Sequence, residues 1–437
     1  MRQRDARRTL KPEIRVKDGR EKYHLEATLE FIAPMFGGGV RLNSDNPHLK
    51  EPDVITPVRG ASLRGQLREW WRRACCDGMD PAEMQKREKV LWGWASTPKD
   101  PARGLVSLAV DTHELKPKPV TVYDCQPNRE RTKWYARPQG GLAELAYGAF
   151  PIKGKDGQPS RFESGTLTQW LGTFEVHVML DAERAGGGDL GRLWAEVEKT
   201  WRAFVTFGGL GGRTRRGFGA VRVVGEGAMS LDQALETLGW QNRCARSKGT
   251  FTTADAAHAR VLERLRSFRQ GTADPGRARN PGTDDPKVPG RSLWPEADEL
   301  RKVIGPTDPK HAVPTVVVHK FPRAAFGMPI IFHFQSRLDP KESTLHPAGA
   351  ERLASPLVLR PVRDPRGAIH AVALRLPGSA RLEGVLKALQ LGDRPATVSG
   401  LLTPKEQDAI NPLRHHRSAP AAGVDAVFLP FFNHFES

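Results

Sequence analysis

The chain has 437 residues, of which 67 are Lys or Arg and 50 are Asp or Glu, so it carries a net charge of +17 and an isoelectric point near 10.0. Hydrophobic residues at 38% supply real cores, and 43 Gly with 35 Pro require many turns, which excludes wholesale disorder and fibrous repeats. The longest apolar runs, such as Pro329 to Phe334 and Ala426 to Phe432, fall far short of the roughly 20 residues a spanning helix needs.

The basic start Met1 to Arg8 continues into polar Lys11 to Arg20, where a secretory signal would need an apolar core, so a cytoplasmic protein without a membrane partner is expected. Four cysteines, Cys75, Cys76, Cys125 and Cys244, are too few and scattered for a disulfide framework. Adjacent Cys75 and Cys76 on a helix point about 100° apart, so core thiols are expected there, with no bound metal and no cofactor.

A charge of +17 favours a polyanion: nucleic acid, an anionic membrane or an acidic protein. Arginine far outnumbers lysine, and its planar fork binds phosphate bidentately and stacks on bases.

In chain order, residues 24–33 alternate as a strand through Leu25, Ala27, Leu29 and Phe31, and a glycine-rich loop follows from Pro34 to Pro57. A helix starts with Ser62 as N-cap and Leu63, Leu67, Trp70 and Ala74 as its apolar stripe, with Arg64, Arg68 and Arg72 on a second ridge. A short helix, Pro81 to Trp92, precedes a strand from Leu105 to Asp111. A Pro-, Gly- and Arg-rich insertion then runs to about residue 165. The period is two again over 173–181 and 3.6 over Leu190 to Phe207, before the loop GGLGGRTRRGFG and a strand from Phe218 to Val224. This βαββαβ order predicts a ferredoxin-like domain over 1–225, with the insertion at 112–165.

Beyond it, Leu231 to Trp240 and Asp255 to Phe268 read as helices, the second with Asp255 as N-cap. Residues 271–290 read as a mobile linker. Strands are expected at Pro329 to Phe334, Leu357 to Val362 and Ala368 to Leu376, and a helix at Ala380 to Leu391. A second α+β domain over 226–437, a degenerate copy of the first, is the economical reading.

Three segments carry candidate chemistry. GGLGGRTRRGFG, 208–219, holds six glycines, three arginines and no acid, so its amides can approach a phosphate that the arginines neutralise. It fails as a nucleotide cradle: Phe218 stands where the P-loop Lys belongs, and the loop follows a helix and precedes a strand, the reverse of the dinucleotide order. VRGASLRGQLREWWRR, 58–73, offers a helix N-terminus with Arg59, Ser62, Arg64 and Arg68 for phosphate. PGRSLWPEADELR, 289–301, suggests ionic bracing in which Glu296 or Asp298 ties an arginine across the domain boundary, with RNA contact as the alternative.

Catalytic signals are thin. His24 or His177 would serve as a general base, and Asp45 or Asp53 would hold a metal beside a phosphodiester, giving a metal- or His-dependent endoribonuclease as the alternative. Packed histidines in strands are the simpler reading, and His415 and His416 fall in a polar stretch expected to be exposed.

Phe31 to Gly39, SLRGQLREWWR (62–72) and GGLGGRTRRGFGAV (208–221) resemble the RAMP superfamily of CRISPR-associated RNA-binding proteins. Within it, PGRSLWPEADELR, FPRAAFGMPIIFHF (321–334) and RLASPLVLRPV (352–362) resemble the first-subunit family of the type III-B Cmr effector. The resemblance implies tandem ferredoxin-like domains in a prokaryotic ribonucleoprotein. It also implies a non-catalytic subunit near the 3′ end of the guide RNA (crRNA), beside the sixth Cmr subunit, that helps capture complementary target RNA. The implied RNA-binding residues are Ser62, Arg64, Arg68, Gly209, Gly211, Arg213, Arg215 and Arg216, to which the helix start adds Arg59. Sequence specificity would rest on base pairing between guide and target.

Overall fold

The computed structural model describes residues 23–37, 53–94, 103–127, 129–130, 134–139, 142–149, 152–153, 162–163, 167–185, 189–270, 291–334, 336–392 and 397–437. Asp45 and the linker 271–290 lie outside them. Among the described residues no helix is long and apolar enough to cross a membrane.

The chain opens with β1 (His24–Phe31) and the short β2 (Met35–Phe36), then helices α1 (Gly60–Cys75) and α2 (Pro81–Trp92) and strand β3 (Val106–Asp111). The insertion contributes β4 (Lys116–Val120), the hairpin β5 (Tyr123–Pro127) and β6 (Trp134–Pro138), α3 (Ala143–Gly148), and the two-residue strands β7 (Ile152–Lys153) and β8 (Phe162–Glu163). Strands β9 (Leu167–Leu171) and β10 (Thr173–Leu180), helix α4 (Leu190–Phe207), strand β11 (Val221–Val224) and helix α5 (Leu231–Leu238) follow.

One antiparallel sheet has the order β11-β1-β10-β3. With α1 between β1 and β3 and α4 between β10 and β11, this is the split βαββαβ arrangement expected from the alternating periods. One sheet face presents Ala27, Leu29, Phe31, Phe174, Val176, Val178 and Leu180, all buried, and the Phe31 and Phe174 rings stack at 5.3 Å. Helices α1 and α4 cover that side with Leu63, Leu67, Trp70, Trp71, Val197 and Phe204. Each such buried side chain contributes about 2 kcal/mol.

Two helix starts differ from expectation. Helix α1 begins at Gly60, with Arg59 at the N-cap and no side-chain cap bond, so Ser62 is an exposed residue of the first turn. Gly60 and Ala61 continue the helical backbone ahead of Ser62, whose hydroxyl is therefore not in capping position. The second departure concerns the helix after residue 250. There Thr253 Oγ1 accepts from the Ala256 amide at 3.1 Å, which places Asp255 inside the helix.

The later elements are β12 (Cys244–Arg246), α6 (Ala254–Gln270), α7 (Glu296–Ile304), β13 (Ile330–Phe332), β14 (Ser343–Pro347), β15 (Leu357–Arg363), β16 (Ile369–Arg375), α8 (Ser379–Leu386), β17 (Leu389–Leu391), β18 (Thr397–Val398), α9 (Pro404–Ala409), α10 (Asn411–His416) and α11 (Asp425–Glu436). Strands β12, β16 and β15 lie in that order, the first, third and second places of another split unit. Helix α6 follows β12 and α8 follows β16, and no fourth strand joins this sheet among the described residues. The single helix expected over 380–391 is instead α8 and then β17, which pairs with β14.

The chain divides into two compact units: 1–243 with 249–262 and 358–372, and 244–248 with 263–357 and 373–437. The core of the second is aromatic. Phe268 meets Trp294, Phe326, Phe431 and His434 with ring centroids 5.4 to 5.9 Å apart.

Candidate nucleic-acid interface

The glycine-arginine loop leaves α4 at Gly208 and folds back onto itself and onto the turn after β1. Amides of Gly212, Gly219 and Leu210 donate to the carbonyls of Phe36, Pro34 and Gly219. This closeness explains two glycines. At Gly219, φ is +64° and a Cβ would lie 1.9 Å from the Leu210 carbonyl oxygen; at Gly211, φ is +85° and a Cβ would meet the Met35 side chain at 2.6 Å. Gly209 is buried and bridges Ala220, whereas Gly211 is exposed.

Each loop arginine has a partner inside the protein. Arg213, left-handed at φ 56°, donates to the Gly148 carbonyl at 2.7 Å and lies 4.7 Å over the Phe36 ring. Arg215 pairs with Glu69 of α1 at 2.9 Å, and Arg216 bonds the Tyr147 side chain. Burial lowers the pKa of all three guanidinium groups. Arg213 and Arg216 thus clasp α3, so part of the insertion is seated on the loop.

The loop is held from beneath. Arg360, 1% exposed, donates to the carbonyls of Gly208, Val221 (2.7 Å) and Pro361 (3.1 Å), and burial pushes its pKa down to about 9. His258, fully buried, bonds the Arg216 carbonyl at 2.7 Å, and burial lowers its pKa to about 4.

On α1, the arginine ridge turns into the protein. Arg64 donates to the carbonyls of Trp92 (3.2 Å) and Val106 (2.9 Å), and burial lowers its pKa. Arg68 and Arg72 both grip the buried carboxylate of Glu88, at 2.6 and 2.7 Å. These bonds brace α1 against α2 and β3. Arg59 and Ser62 are exposed at the start of the helix.

Sequence reasoning missed Glu69, Glu88, Phe36 and Arg360, which hold the arginines and the loop. It also left open the insertion strand β4, which pairs with β9, as β2 does on the other side, while Phe36 of β2 bridges Gly212. Lys116 and Lys118 are exposed on that edge strand. The period-two Lys-Pro-Lys-Pro run was the available signal.

The remaining candidates are placed as follows. His24 and His177 meet across β1 and β10, Nε2 to Nδ1 at 3.1 Å, with Glu26 alongside; among the described residues these three form the group able to hold a metal. Asp53 is buried and accepts from the amides of Ile55 and Thr56 and from the Thr56 hydroxyl, so it caps a turn. Burial raises the pKa of Cys75 to about 11 and of Cys76 to about 12, as inert thiols require. His415 is exposed, but His416 is half-buried against Phe268 and His434, and burial lowers its pKa to about 4.

In the second unit, Asp298 gathers Arg291, Arg301 (3.1 Å) and the amides of Thr315 (2.7 Å) and Val316 (3.3 Å). Glu296 lies 3.1 Å from Arg323 and also accepts its amide at 2.8 Å. The bracing expected of 289–301 across a domain boundary is found instead within this unit, because the arginines and amides that these two acids hold all belong to residues 291–323.

Residues 28–222 match the family model described as "RAMPs: RAMP superfamily". No curated protein matches the chain. Solved structures similar to it include the following three. Cmr1 from Pyrococcus furiosus in its apo form shares 13% identity over 81% of this chain and 88% of that one, with a TM-score of 0.36. A chain of type III-B Cmr-beta bound to cognate target RNA shares 11% over 81% and 94%, with a TM-score of 0.38. A chain of the same assembly bound to target RNA and AMPPnP, in the presence of ssDNA, shares 12% over 81% and 94%, with a TM-score of 0.40.

Proposed function

Taking residues 28–222 as a RAMP superfamily segment, we propose that this chain is a non-catalytic RNA-binding subunit of a type III-B Cmr ribonucleoprotein. The observation that carries the reading is that the matched segment contains both arginine-glycine segments, which the structure joins through Glu69 and Arg215. Guide RNA near its 3′ end and target RNA are the proposed ligands, and other Cmr subunits, the sixth above all, are the proposed neighbours.

The side chains divide into two roles. Arg59, Ser62 and the exposed backbone at Gly211 are the proposed direct contacts with phosphate, joined by Lys116 and Lys118. Gly209, Arg213, Arg215 and Arg216 shape the loop, and Arg64 and Arg68 fix the helix that carries Arg59. A helix start with free amides suits a backbone oxygen whatever the base, which agrees with sequence reading by guide–target pairing.

The test is binding of labelled single-stranded RNA to the full chain across a salt series. Replacing Arg59, Lys116 and Lys118 together by Ala removes up to three phosphate contacts and should flatten the log-log slope by roughly 2, at about 0.7 per contact. Unchanged affinity and slope in that variant would overturn the assignment of contacts. Shortened RNA in the same lanes would favour an endoribonuclease, and failure to co-purify with other Cmr subunits would remove the assembly role.

A further inference from the structure

The sheet β11-β1-β10-β3 has a second face, away from α1 and α4. Register puts His24, Glu26, Thr28 and Glu30 of β1 on it, beside Thr173, Glu175, His177 and Met179 of β10 and Asp111 of β3. Glu26 stands opposite His177 and His24 two residues along, so the three side chains converge. Nε2 of His24 and Nδ1 of His177 are 3.1 Å apart, a Glu26 oxygen lies 3.8 Å from the same Nδ1, and all three ligand atoms are within 4.8 Å of one another.

We propose that His24, His177 and Glu26 form a binding site for one divalent transition ion of the zinc class. Zinc with bonds of about 2.0–2.1 Å in tetrahedral geometry sets its ligand atoms roughly 3.3 Å apart, and the two observed separations bracket that spacing. Two imidazoles and a carboxylate are a donor set that selects zinc-like ions over magnesium or calcium, which take oxygen alone. Three protein ligands leave a fourth position for water or for an oxygen of a bound phosphate. Glu175 and its register partner Asp111 add two carboxylates to this face, while Glu30 is neutralised by Arg222 at 2.6 Å.

Coordination through Nε2 of His24 and Nδ1 of His177 places the ring protons on Nδ1 of His24 and Nε2 of His177. The site stands independently of the RNA-binding reading.

The experiment titrates Zn2+ into the chelator-stripped full chain by calorimetry, with Co2+ substitution to read the ligand field. The expected result is one ion per chain, a Co2+ spectrum of mixed nitrogen and oxygen ligation, and a melting temperature raised by a few degrees. His24→Ala with His177→Ala should weaken binding at least 100-fold. Because His177 is buried, the exposed Glu26→Lys supplies a variant expected to fold, and it should weaken binding at least tenfold. Binding below one-tenth of an equivalent in the parent chain, or one equivalent retained with unchanged affinity in both variants, would overturn the site.

Discussion

The guanidinium of Arg215 donates to the Glu69 carboxylate at 2.9 Å across 146 residues of sequence, and the same oxygen accepts from Arg73 at 2.9 Å. One acid thus neutralises two cations where the loop meets α1. Glu69→Gln should remove the negative charge that offsets both guanidinium groups, tightening RNA binding and steepening the salt slope by up to about 1.4. The pairs are partly exposed, so stability should change by less than about 1 kcal/mol. A slope equal to that of the parent in a salt series would show that neither arginine reaches RNA.

Arg360 is a buried cation held by three carbonyls and, among the described residues, by no carboxylate. Arg360→Met leaves those oxygens without their donor, at about 1–3 kcal/mol each, partly offset by removal of the desolvated charge. A net loss of roughly 2–3 kcal/mol is expected in urea unfolding. RNA affinity should fall as well, because the carbonyls of Gly208 and Val221 flank the loop.

His258 predicts an acid limb in stability. Its folded pKa of about 4 lies below its ordinary value of 6.5, so between these values the unfolded chain takes a proton that the native fold refuses. The stabilisation is complete above about pH 6.5 and is lost as pH falls through about 4, worth roughly 3 kcal/mol for a shift of this size. His416, lowered to about 4 by burial, acts in the same direction. Urea midpoints at several pH values should decline over this window, and His258→Gln should remove part of the decline.

Asp298 is 8% exposed and serves two guanidinium groups and two amides. Asp298→Ala should cost about 3–5 kcal/mol, since it leaves cations buried without their acid. Thermal unfolding of the variant checks this, and a loss below about 1 kcal/mol would show that Arg301 is held adequately by Asp339, its other carboxylate at 3.0 Å.

The first split unit was legible because its strands alternate strictly while α1, α2 and α4 keep a helical stripe; α2 and α4 begin and end where the pattern does. The stretch after Ala380 was not, since Leu386, Leu389 and Leu391 satisfy both periods until pairing with β14 decides for a strand. The arginine-rich segments were visible, but not their orientation. Arg64, Arg68 and Arg72 resemble a solvent ridge until Glu88 and the Trp92 and Val106 carbonyls are brought to them. His24 and His177, 153 residues apart, could be associated only through the β1–β10 register.

Strand β4 is an edge strand in which Pro117 and Pro119 alternate with Lys116 and Lys118. Neither proline has an amide hydrogen, so the strand is depleted of donors, which disfavours its templating another strand from a second copy of the chain or an extended peptide. Any macromolecule arriving there meets lysine side chains first, and selection at this edge is by charge.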